Sequence, residues 1–156
     1  MSAVKLTISI TDNATAPLRA FAVNVADLKP LMANLGEIAH ASVIENFEVG
    51  GRPKWLPLAP ATIKKKGHTK PLIASGVLKN ITRKVTENSV LIGVPPAAKD
   101  YAAIQHFGGK AGRGHKVTIP ARPYMLLQDE DLREIDDLVQ TWPSRNEPSP
   151  SGRGQG

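Results

Sequence analysis

Val4, Leu6, Ile8 and Ile10 alternate with Lys5, Thr7 and Ser9, the period of two that gives a strand one buried and one wet face. Asp12-Asn13 ends that run. From Ala16 to Ala26 the spacing changes to a helical one, with Leu18, Ala22 and Val25 on one side, and Asp27 to Pro30 reads as a break followed by proline in a first helical turn. The longest pattern follows. Leu31, Leu35, Ile38 and Ser42 form one stripe and Met32, Leu35, Ala39, Val43 and Phe47 an adjoining one, which predicts a helix from Pro30 to Glu48 with a broad apolar face. Gly50-Gly51 stops it.

Three prolines, Pro53, Pro57 and Pro60, then forbid regular structure around Trp55. A short helix is expected over Ala61–Lys66, ending at Gly67, and a turn at Ser75 to Leu78. Ile81–Thr86 and Ser89–Val94 alternate on either side of Glu87-Asn88 and predict a hairpin, with Ile81, Arg83 and Val85 set opposite Val90 and Ile92. Tyr101–Phe107 suits a short helix capped by Gly108-Gly109. The glycine-rich stretch Lys110–His115 reads as a mobile loop, and Val117–Ile119 as a third strand of the hairpin's sheet. A last helix is expected over Asp129–Trp142, its first-turn acids Asp129, Glu130 and Asp131 placed where the helix dipole favours negative charge. The whole is an α+β domain over residues 1–142, a small, largely antiparallel sheet packed with a long N-terminal helix and a C-terminal helix. Residues 143–156, rich in Pro, Ser and Gly, are expected to be a disordered tail.

Length supports a single domain: 156 residues can bury about two-thirds of their unfolded surface without metals or disulfides. The absence of cysteine removes thiolate nucleophiles and Cys-type zinc sites, and suits a reducing compartment. No apolar run approaches a membrane span, and the first residues lack the apolar core of a signal peptide. Charge changes the picture more. Val49 to Gln128 hold 14 basic residues and only two acids, Glu87 and Asp100, a net +12, whereas the rest of the chain carries −6. Lys64, Lys65, Lys66 and Lys70 concentrate that charge, which fits nucleic-acid phosphates or an acidic protein surface.

Catalytic patterns fail one by one. Gly109–Lys116 lacks the Lys-Ser/Thr that a phosphate-binding loop places directly after its second glycine. His40, His68, His106 and His115 are too scattered for metal spacing, so no metal or cofactor is expected, and the carboxylates of the last helix read as a solvated face. Ser75 lacks the glycines of a nucleophile elbow. Nor is there a base-stacking motif or helix-turn-helix for sequence-specific nucleic-acid recognition. A non-enzyme is expected.

Four stretches taken together resemble a known family: Trp55-Leu56-Pro57-Leu58-Ala59-Pro60-Ala61-Thr62 with Lys65-Lys66-Gly67; Leu72-Ile73-Ala74-Ser75-Gly76-Val77-Leu78; Tyr101 to Gly109, reading YAAIQHFGG; and Ile119-Pro120-Ala121-Arg122-Pro123-Tyr124. In order and spacing they are similar to the phage virion morphogenesis family of Mu-like tail completion proteins. The loop Gly50–Lys54 departs from the Asp-Gly turn usual there. The resemblance implies a structural virion protein without catalytic activity, assembled in the host cytoplasm and placed in the tail or neck. It would form a ring and touch the tail tube, tail terminator or connector proteins, with packaged DNA passing nearby and no membrane involved.

On the matching stretches Trp55, Leu58, Tyr101, His106, Phe107, Arg122 and Tyr124 become candidate subunit or partner contacts. Lys64, Lys65, Lys66 and Lys70 become candidates for facing DNA or an acidic partner. Two alternatives stay open at this point: Trp55 either pins its loop to its own core or enters a neighbour, and Arg122 either pairs with an acid, such as one in the last helix, or meets DNA or a partner. From a different class, a small basic nucleic-acid-binding accessory protein also fits the charge.

Overall fold

A computed structural model describes residues 5–9, 28–72 and 76–145. The helix expected over Ala16–Ala26, Ser75 and the tail beyond residue 145 lie outside the described residues. Helix α1, Lys29–Val49, carries Pro30 in its first turn and ends at Gly50. Of the two stripes it buries Leu31, Met32, Leu35, Ala39, Val43 and Phe47 and leaves Ile38 half-buried; it also buries Ser42 and Asn46, whose polar groups therefore need partners.

Against α1 lies a three-stranded antiparallel sheet in the order β1 (Lys5–Ser9), β3 (Ser89–Gly93), β2 (Thr82–Val85). The hairpin register is the one its alternation predicts, Arg83 opposite Ile92 and Val85 opposite Val90. Val90 and Ile92 are fully buried. The helix approaches closely at Gly36, where a Cβ would stand 3.1 Å from Val90 Cγ1 and 2.9 Å from Arg83 Cδ. Arg83 thus lays its stem across the glycine and ion-pairs with Glu37 at 2.6 Å.

Two expectations give way. The third strand of this sheet is β1, paired to β3 from Lys5↔Gly93 to Ser9↔Ser89, and not Val117–Ile119. That segment is β5, and it pairs with β4, Gly109–Ala111, in a separate two-stranded ribbon. The stretch expected to be a mobile loop is therefore a strand followed by a 3₁₀ turn, Arg113–His115. Gly112 and Gly114 let the chain fold back on itself there, and a local hairpin closes at less entropic cost than a distant pairing.

Two short helices frame the groove described below. Helix α2 is Pro60–Lys66 and α3 is Lys99–Phe107, the latter entered through a 3₁₀ turn at Pro96–Ala98. Helix α4, Asp129–Arg145, packs along α1 and buries Trp142. It runs three residues past the expected boundary. The α+β class holds: α1 covers one face of a small antiparallel sheet and α4 packs on α1.

Candidate functional site

The buried Ser42 and Asn46 of α1 find their partner in Arg52, at the base of the loop after α1. Its guanidinium donates from Nε to Asn46 Oδ1 at 2.9 Å and from Nη2 to Ser42 O and Oγ at 2.9 and 2.8 Å. Glu45 and Glu130 reach Nη1 at 3.0 and 3.1 Å, and Asp131 stands 3.8 Å from Nη2. Ser42 Oγ donates in turn to Asp131, which also accepts the Gln128 backbone N–H at 2.6 Å. Asp131 thus makes half of a capping box for α4. Gln128 Nε2 donates to Arg52 O at 2.8 Å. One guanidinium therefore ties α1, the loop and α4 together.

A second line of contacts runs through the aromatic rings. Trp55 donates from its indole N–H to Pro123 O at 2.9 Å and meets Phe47 edge-on, with ring centroids 5.8 Å apart. Phe47 stacks at 5.2 Å on Tyr124, whose hydroxyl donates to Ala102 O at 2.8 Å. Burial, with Tyr101 adding to it, raises the Tyr124 pKa, so this phenol stays protonated. His106 meets Tyr124 edge-on, and its Nδ1 accepts the backbone N–H groups of Tyr124 and Met125 at 3.3 and 3.4 Å. Those bonds require an unprotonated Nδ1, and burial lowers the His106 pKa in the same direction.

Arg122 lies between these rings and the surface. It is 5 % exposed, donating from Nε to Leu56 O at 3.0 Å and from Nη2 to Pro57 O at 3.1 Å. Burial pulls its pKa down, yet a guanidinium remains charged. Among the described residues no carboxylate pairs with it. Gly108, at φ 73°, lets α3 turn into β4 here: a Cβ would stand 2.7 Å from Ala121 N and 2.9 Å from Ile119 O.

Arg122 lines an open groove of about 850 Å³ between the proline-rich loop, α2, α3 and β5. Its walls are largely apolar, with Leu56, Leu58, Leu72, Tyr101, Val117 and Ile119, and Lys66 stands at its lip. Leu56 and Val117 are 62 % and 57 % exposed. Residues 54–72 and 108–122, which border the groove, hold nine Lys and Arg and no acid. Among the described residues no group of His, Asp and Glu is placed to hold a metal, and no helix is long and apolar enough to cross a membrane.

The sequence profile of the phage virion morphogenesis family matches residues 10–143. The chain belongs to that family. It is also 34 % identical over 139 residues to Mu-like prophage FluMu G protein 2 of Haemophilus influenzae, covering 89 % of this chain and 95 % of that protein. No solved structure matches it.

The virion morphogenesis stretches converge in space. Trp55, His106, Arg122 and Tyr124 are buried within the chain itself: Trp55 pins its loop to its own core, and Arg122 holds the loop by its carbonyls without an acid from the last helix. Leu58 and Tyr101 are partly exposed in the groove wall, and Phe107 is 64 % exposed beside the His106 ring. Lys64, Lys65, Lys66 and Lys70 are all exposed, the first three in the last turn of α2, where the helix dipole favours cations. Sequence reasoning missed Arg52, Asn46 and Ser42. The one available signal was a serine and an asparagine, Ser42 and Asn46, on the apolar side of α1.

Proposed function

We propose that this virion morphogenesis protein is a non-enzymatic part of the phage tail, completing the tail and supporting head–tail joining as one subunit of a ring around the tail or neck axis. The observation that carries this reading is the convergence of the family-like stretches on one open, apolar, basic-rimmed groove whose titratable side chains, Lys66, Tyr101 and Arg122, include no acid–base pair. Such a surface is built to be covered by a protein. On this reading its partners are the tail tube, a tail terminator and neck or connector proteins, in a virion assembled in the host cytoplasm. Deleting the gene from the phage tests it. Full heads beside detached or unstable tails are expected, and normal particles would refute it.

A second reading has its own support. Lys64, Lys65, Lys66 and Lys70 are exposed and form no ion pair among the described residues, as a phosphate-facing patch requires. For a nucleic-acid-binding accessory protein, affinity for random duplex DNA would be tight at physiological salt and fall steeply with log[salt], and the protein would be monomeric and absent from virions.

A further inference from the structure

We infer that the groove of one copy receives the acidic outer face of α4 from a second copy, with Leu132 as the apolar anchor. This rests on the ring assembly proposed above and supplies its contact surfaces. The groove lacks two things that a neighbour could bring. Among the described residues nothing covers its apolar walls, and Arg122, with two of its N–H groups spent on carbonyls, has no counter-ion. A buried cation without one is unfavourable until a carboxylate arrives.

Helix α4 has the complement. Asp129, Leu132 and Asp136 stand at i, i+3 and i+7, so they share one face. Leu132 is 51 % exposed, and neither aspartate forms an ion pair among the described residues. The helix dipole accounts for Asp129 in the first turn. It does not account for Asp136 beyond that turn, nor for a leucine left in water between two acids. Burying Leu132 among Leu56, Leu58 and Val117 would bring the flanking carboxylates to Lys66 and Arg122. That is helix-in-groove recognition, with charge fixing its register.

Helix α4 lines no part of the groove of its own chain, and Arg52 holds it against α1. The contact therefore joins two unlike surfaces, head to tail, and a ring forms where the rotation closes.

The chain has no cysteine, which makes cross-linking clean. Leu56→Cys and Leu132→Cys, both at exposed positions, are prepared as separate full-length proteins and oxidised singly and mixed. The mixture should give a heterodimer well above the homodimer of either variant. Adding Lys66→Glu to the first protein or Asp136→Lys to the second should lower the yield about tenfold, equivalent to about 1.4 kcal/mol, and combining the two should restore it. A mixed yield no greater than the homodimers, or a dominant Leu132→Cys homodimer, overturns the proposal. Light scattering on the wild type separates the failures: oligomers without the mixed cross-link remove this contact and leave the ring, whereas a monomer without it removes both.

Discussion

Arg52 and Arg122 are both largely buried guanidiniums that hold the proline-rich loop, yet three carboxylates surround the first and, among the described residues, none pairs with the second. Arg52 also fills its donors with Asn46 and Ser42, so its charge is neutralised and its hydrogen bonds are complete within the chain. Among the described residues Arg122 has backbone carbonyls alone as partners, and it faces an open groove. The loop is thus locked on one side by a closed electrostatic hub and presented on the other beside a cation in want of an anion. Stability resides with the first and, on the proposed assembly, recognition with the second.

Substitutions can break that contrast. The largest effect is expected from Arg52→Met, which takes the cation from buried Asp131 and the donors from Asn46 Oδ1 and Ser42 O; urea unfolding should show a loss of about 3–5 kcal/mol. Arg122→Met removes two hydrogen bonds but leaves no opposing charge unpaired, so about 1–3 kcal/mol is expected. Equal losses at the two positions would erase the distinction. Glu45→Ala removes an exposed partner from the hub and should cost at most about 0.5 kcal/mol. A larger loss would mean that the hub depends on its surface acids.

The smallest effect is a slope with pH. The folded His106 pKa lies below the usual 6.5, so the unfolded chain takes up the proton first as pH falls, and stability declines below about pH 6.5 while staying level above it. His106→Asn keeps an acceptor near the Nδ1 position without a titrating ring. It should flatten that part of the Tm-against-pH curve, and an unchanged slope would remove His106 as its source.

Local pattern was legible in the sequence and distant pairing was not. The stripes of α1 and the alternation around Glu87-Asn88 announced a helix and a hairpin register, because each depends on residues a few positions apart. The strand at Lys5–Ser9 is visible too, but its alternation says nothing of which strand it joins, and the expectation for Val117–Ile119 fails for the same reason. At the candidate site, the glycines and prolines marked the loop. Its fastening did not show, since Arg52 meets Glu130 across 78 residues and Arg122 binds carbonyls that every residue possesses.

The most direct test of a tail-completing role is the position of the protein in the virion, read by negative-stain microscopy of intact particles with gold-labelled antibody against it. Label confined to the head-proximal end of the tail is expected. Label spread along the tail tube, or virions without label, would contradict that role.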